Sequence, residues 1–191
     1  MDFAKLIERA KNICLSPQAE WQKIAGETET TQSLYVNYAM ILAAIPAIAM
    51  MIGSISSPRY GITMAIVTYV ITLVVIFVAS LIVNALAPTF DGAKSPINAL
   101  KVVIYSSTPG WLAGVFNVIP ILGGIIALIG GIYGIYVLYL GLAPCMKNPH
   151  EKSIGYTALI VVCYIVLTFV LLGIMVSMFL GSAMMGASML R

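Results

Sequence analysis

The chain has 191 residues, 61% of them hydrophobic and only 9% charged, with a formal net charge of +3. A soluble domain typically carries roughly 25% charged residues, so a fold solvated by water alone is excluded and lipid must cover part of the apolar surface. Three cysteines (14, 145 and 163) and one histidine (150) show no zinc, haem or disulfide spacing, so no metal or other cofactor is expected.

Residues 1–30 carry nine charges and no apolar run of the kind a cleaved leader needs. Phe3, Leu6, Ile7, Ala10, Ile13 and Cys14 fall on one helical face, while Asp2, Lys5, Glu8, Arg9 and Lys11 occupy the other. Ser16-Pro17 then supplies an N-cap and first-turn proline for a second short helix carrying Trp21 and Ile24. The segment is expected to be a cytosolic amphipathic arm. Its apolar stripe either anchors in the membrane interface or packs under the membrane bundle.

Four stretches beyond the arm have no charged residue: Thr30–Pro58, Tyr60–Phe90, Val102–Met146 and Ser153–Leu190. A helix needs roughly 20 apolar residues to cross about 30 Å of hydrocarbon, and the third stretch is long enough to cross twice. Such unbroken runs exclude a closed barrel, which would read as short segments of alternating polarity. The expected fold is all-α, a polytopic integral membrane protein with five transmembrane helices over residues 31–182. The spans fall at about 34–52, 61–86, 97–116, 121–142 and 154–180, followed by a tail at 183–191.

Asn117-Val-Ile-Pro120 divides the long run into a tight antiparallel hairpin, because proline lacks a backbone donor and restricts its predecessor. Ala87–Pro96, between spans two and three, has ordinary turn chemistry. With the N-terminus inside, Lys5, Arg9, Lys11, Lys23, Lys94, Lys147 and Lys152 lie on the cytosolic side, with Lys101 near it, against Arg59 and Arg191 outside. The positive-inside rule therefore favours an inside N-terminus and an outside C-terminus. A four-span variant, with span three only re-entrant, would return the C-terminus inside.

Span three is the least apolar. It contains Lys101, Tyr105, Ser106, Ser107, Thr108 and Pro109. A central lysine costs about 2.5–3.5 kcal/mol on insertion scales, so Lys101 is expected to reach the cytosolic headgroups along its stem and the helix to lie inside the bundle. Pro109 should clash with the carbonyl of Tyr105 and break or kink the helix. A broken midplane helix is one way to build a transport site; the alternative is a kink whose polar groups are satisfied by neighbours.

Within the spans no His, Asp or Glu accompanies the hydroxyls, so no catalytic residue and no enzymatic activity are expected. A Ser106 or Ser107 pair with Lys101 is the one conceivable exception. The same absence disfavours proton-coupled transport.

Small residues at four-residue spacing mark helix packing: Ala39, Ala43 and Ala47 on span one, Gly123, Ala127 and Gly131 on span four, Gly173, Ser177 and Gly181 on span five. Some must close the monomer, and one stripe is available for self-association. The Met184-Met185…Met189 tail lacks His or Cys partners and reads as a lipid-facing helix end.

Four motifs in register with these spans carry a resemblance: Glu20-Trp-x-x-Ile24-x-x-Glu27, Leu42-Ala-Ala-Ile-Pro46 ending in Ile52-Gly53, Tyr105-x-x-Thr-Pro109, and Tyr136-Val-Leu-Tyr-Leu-Gly-Leu142. From about Glu20 to the start of span five the chain resembles the Yip family, the Ypt/Rab-interacting membrane proteins, and especially its short bacterial YohC-like branch. The resemblance implies five membrane helices and a cytosolic N-terminus. Eukaryotic members act in endoplasmic reticulum and Golgi trafficking and bind prenylated Rab GTPases. The family's Asp-Leu-Tyr-Gly-Pro signature is absent before span one, and its Gly-Tyr pair is Ile104-Tyr105 here.

The sequence thus points to a non-enzymatic multi-pass protein of the bacterial inner membrane. In a eukaryote the compartment would be the endoplasmic reticulum or Golgi. Its role would be structural or partner-binding, with the lipid bilayer, a second copy and a protein as expected partners and no nucleic acid. The rival reading is a small channel or carrier using the proline-broken third helix.

Overall fold

The computed structural model describes residues 3–55 and 57–188, with side chains as far as Ile174 and at Ser177, except those of Pro120 and Leu172. Among these residues the fold is all-helical: α1 Phe3–Leu15, α2 Pro17–Gly26, α3 Thr31–Gly53, α4 Pro58–Leu86, α5 Pro96–Ala113, α6 Pro120–Met146 and α7 His150–Ser188. Prolines open α2, α4, α5 and α6, where the missing N–H costs nothing because first-turn donors have no intrahelical acceptor. Thr30 caps α3 by accepting from Ser33 N at 3.1 Å, and Ser95 caps α5 by accepting from Asn98 N at 3.4 Å. Ser16 holds the N-cap position of α2, but its hydroxyl makes no capping bond.

Thr31–Gly53, Pro58–Phe90, Ile121–Met146 and His150–Leu171 are each long and apolar enough to cross a membrane. The expected third span, α5, falls short of that measure. The reason is where it lies: eleven of its eighteen residues are buried among the other helices, so protein rather than lipid solvates it. Short 3₁₀ turns extend α4 over Ala87–Phe90 and α5 over Gly114–Val118.

Two close approaches tie the ends of the bundle. At one end a Cβ added to Gly53 would lie 2.7 Å from the carbonyl oxygens of Asn117 and Val118, and one on Gly114 would lie 2.5 Å from Pro46 Cβ. At the other, Ala93 N donates to Met146 O at 2.7 Å, Lys152 pairs with Asp91, and Phe90 stacks on Tyr156 at 4.8 Å. Asp91 and Lys147 adopt left-handed φ angles of 56° and 57° to turn the chain there.

The arm belongs to this second end. Leu6, Ala10, Ile13, Trp21 and Ile24 enter the common core with Tyr38, Leu42, Ile104, Val137 and Leu142. The apolar stripe on α1 therefore splits, because Phe3, Ile7 and Leu15 stay exposed. Exposed apolar side chains form a belt from Tyr60 to Leu81 on α4, about 32 Å of helix, with matching runs on α3 and on α6, where they end at Tyr136. The expected 183–191 tail and the surroundings of Gly181 fall outside the residues whose side chains are described.

Candidate functional site

Where the arm meets the belt, three of the four sequence motifs converge. Trp21 lies flat against α6: its Nε1 donates to Val137 O at 3.0 Å, and a Cβ on Gly141 would come within 2.5 Å of the indole. Only glycine at 141 admits that ring. The indole edge meets Tyr105 of α5 at 6.2 Å, and Tyr105 packs edge-on against Tyr38 at 4.7 Å. Tyr38 shares a 2.9 Å hydrogen bond with Thr108. Each polar ring atom has a partner, as buried aromatic residues require.

Charges lock the arm over these rings. Arg9 Nη1 donates to Glu20 Oε1 at 2.7 Å, Nη2 donates to Glu27 Oε1 at 2.5 Å, and the guanidinium stands 5.8 Å from the centre of the Tyr105 ring. Lys23 joins Glu20 from the far side at 3.1 Å. Burial alone would lower the pKa of Arg9; the Glu27 hydrogen bond and charge, with Tyr105 and Glu20, outweigh it and raise the value above that of a free guanidinium. The stabilisation from this charge is full below the ordinary value and lost only above it, so Arg9 contributes no pH dependence in the neutral range. Glu27 Oε2 is buried without a partner among the described residues.

Lys101 departs from expectation. Instead of standing open at the surface it is 1% exposed, covered by the arm, and its Nζ donates to Ile24 O at 2.9 Å and to Glu27 O. These carbonyls sit at the C-terminal end of α2, which carries partial negative charge; Ile24 O also accepts from the capping Glu27 N–H, at 3.3 Å. Lys101 thus acts as a distant C-cap for α2, and those carbonyls offset part of the cost of burying the ammonium.

Tyr105 OH donates to Glu29 Oε1 at 3.1 Å. Around it opens a polar pocket of about 470 Å³ walled by α1, α2 and the start of α3. Ser106 and Ser107 are not directed at Lys101: both hydroxyls bond back to Val103 O, at 3.1 and 2.8 Å. No hydroxyl–lysine pair forms among them. Helix α5 also runs unbroken through Pro109; the serine back-bonds lie in the turn before it, where such bonds accommodate bending.

The small-residue stripes divide by environment. Ala39, Ala43 and Ala47 are buried. On α6 a Cβ on Gly123 would meet Phe116 O at 2.3 Å, while the approach to α5 is made by Gly130, 2.6 Å from Ala113 Cβ, and Gly134, 2.7 Å from Ser106 O. Among the described residues nothing lies within 4 Å of a Cβ added to Gly131 or Gly173; Gly131 and Ala127 both line an apolar groove of about 520 Å³, and Ser177 is exposed, its hydroxyl donating to Ile174 O at 2.8 Å.

Arg9, Glu29, Tyr38 and Gly141 were not marked as functional by the sequence. Of these, only Gly141 lay inside a motif, and the i, i+7 spacing of Glu20 and Glu27 was the available hint that one helical face receives a cation.

The Yip1 domain profile matches residues 11–172, which takes in α2 through most of the described α7 and the convergence just described. The chain belongs to the Yip1 domain family. It is 25% identical over 158 residues to the inner membrane protein YohC of Escherichia coli K12, covering 74% of this chain and 80% of the relative, and equally to YohC of E. coli O6:H1 strain CFT073. No solved structure matches the chain. In this Yip1 domain, family motifs far apart in sequence meet around Trp21 and Tyr105.

Proposed function

We propose that this Yip1 domain protein is a non-enzymatic, structural and partner-binding component of the bacterial inner membrane, with five spans, a cytosolic arm and the capacity to self-associate. The observation that carries the reading is how the polar side chains are used. Lys101, Tyr38, Thr108, Ser106 and Ser107 are engaged by nearby carbonyls and hydroxyls, which suits a docking platform better than a reaction centre. The inner-membrane placement is carried from the YohC relatives by their name.

Five spans are supported by the run of α5 and its 3₁₀ extension from the arm end to the Gly53 end. The cytosolic arm is supported by the basic residues Lys5, Lys11, Lys23, Lys94 and Lys147 at its end of the bundle. Exposed Phe3 and Ile7 on α1 suit a helix lying along the headgroup boundary. Self-association is supported by Gly124, Gly131 and Gly173, where nothing among the described residues lies within 4 Å of an added Cβ; small residues left open in lipid permit close helix approach.

The test is subunit counting by single-molecule photobleaching in liposomes across a range of protein-to-lipid ratios. The expected result is a dimer or higher species that Gly131→Leu converts to monomer with the fold intact. A wild-type protein that is monomeric at every ratio overturns self-association. A second reading, a small carrier for a neutral solute, is favoured by the groove of about 520 Å³ that reaches Ser106, Ser107 and Tyr164. Solute flux in the same liposomes, abolished by Ser107→Val, would select it.

A further inference from the structure

We propose that the pocket beside Tyr105 holds the headgroup of a zwitterionic phospholipid, one bearing a primary ammonium next to its phosphate, with the acyl chains lying along α3. This goes beyond the role proposed above and does not depend on self-association.

Three observations carry it. First is depth. Gly134 packs on the Ser106 carbonyl, so Tyr105 stands level with the part of α6 where the exposed apolar run ends, at Tyr136. On α3 the pocket residue Asn37 adjoins Val36, the first exposed apolar side chain there. The cavity therefore opens where hydrocarbon gives way to headgroups.

Second is charge. The wall contains Lys5, Arg9 and Lys23 together with Glu8, Glu20 and Glu29, so neither an anion nor a cation alone is matched. Arg9 and Glu20 are engaged with each other. Glu29 uses only Oε1, on Tyr105, and Glu8 makes no side-chain bond among the described residues. These carboxylates can receive ammonium hydrogens, while Lys23, which pairs with Glu20 but is 63% exposed, and the Asn12 amide stand in the same wall for the phosphate.

Third is continuity. Ser33 and Asn37, then Met40, Ala44 and Ile48 follow one another down α3, Asn37 lying in a wider π-helical turn over Tyr35–Ala39 and the last three at α-helical spacing. Ser33 and Asn37 line the pocket; Met40 and Ile48 are 40% and 52% exposed in the belt. A lipid seated by its headgroup would leave its chains against this strip without crossing a polar barrier.

The experiment uses the full chain in detergent, rebinding lipids of identical acyl chains and counting retained molecules by native mass spectrometry. Phosphatidylethanolamine should be retained about tenfold more than phosphatidylcholine, whose quaternary amine has no N–H, and than phosphatidylglycerol, which has no amine. Glu29→Gln should erase that preference while leaving retention of the other two lipids unchanged. Tyr105→Phe keeps the carboxylate and should preserve the preference, which separates loss of the headgroup contact from disturbed packing. Equal retention of all three lipids overturns the proposal, as does a preference that survives Glu29→Gln or vanishes equally in Tyr105→Phe. Soluble phosphoethanolamine should compete at least a hundredfold more weakly than the lipid; equal potency would assign the pocket to a soluble ligand and overturn the lipid occupant.

Discussion

Helices α5 and α7 lie in the same bundle and answer to different solvents. In α5, residues 99–106 are buried without interruption, including Lys101, Tyr105 and Ser106. In α7, only 17% of the most apolar stretch of His150–Leu171 is buried, at residues near its start, Tyr156, Thr157 and Ile160, and from Val162 to Ile174 it shows large apolar side chains outward. The less hydrophobic helix is thus the more buried one. Within a bilayer a helix facing lipid must be apolar, whereas one enclosed by protein can carry polar groups if its neighbours satisfy them. Polarity inside this chain marks the centre of the bundle.

That contrast breaks most severely at the contact between α5 and α6. Gly134→Leu would place a branched side chain where even a Cβ lies 2.7 Å from the Ser106 carbonyl. Backbone cannot rotate away as a flexible side chain can, so the helices must separate. We expect a loss of about 3 kcal/mol, the upper end of the usual overpacking cost, read as aggregation or a collapsed melting transition in detergent-solubilised protein. A variant that melts like the wild type would show that α5 is not held at the centre.

Next in size is Lys101→Met, which tests whether a buried cation in α5 organises the arm. The substitution keeps most of the volume but removes the ammonium from both carbonyls, leaving Ile24 O with only the Glu27 N–H at 3.3 Å and Glu27 O without its side-chain donor. Each such loss costs about 1–3 kcal/mol, partly offset because a charge no longer has to be buried. The expected outcome is a lowered melting temperature with faster protease cleavage between α2 and α3, and little change in α7. Thr108→Val is smaller. It removes only the hydroxyl partner of Tyr38, about 1–1.5 kcal/mol, measurable as a shift of the same transition.

The sequence made one side of this contrast legible and concealed the other. Charge-free runs marked where the long apolar helices lie, Pro120 opened α6, and the polar residues of 101–109 pointed to α5 as the enclosed helix. The partners of Lys101 could not be read, because they are backbone carbonyls 77 and 74 residues away, and a carbonyl leaves no trace in residue identity. The same limit applies to the glycines of α6. Gly123, Gly130, Gly131 and Gly134 satisfy overlapping small-residue spacings, and the rotation that selects Gly130 and Gly134 for α5 is set by tertiary packing. The arm's stripe was visible too, but how it divides between bundle and exterior depends on where Trp21 finds Gly141.

The finest distinction lies between neighbours on α6. Gly130 and Gly131 differ by one position, about 100° around a helix of 3.6 residues per turn, yet one would press a Cβ to 2.6 Å from Ala113 and the other meets nothing within 4 Å. Gly131→Leu should therefore change the stability of the monomer by no more than about 0.5 kcal/mol, the range of surface substitutions. Thermal unfolding of the dilute, detergent-isolated monomer checks this directly. A loss comparable to that of Gly134→Leu would mean that the open face is closed within a single copy, leaving α6 no free surface for a second chain. An unchanged melt combined with a lost oligomer in liposomes would separate the face that builds the fold from the face that joins copies, on one helix and at adjacent residues.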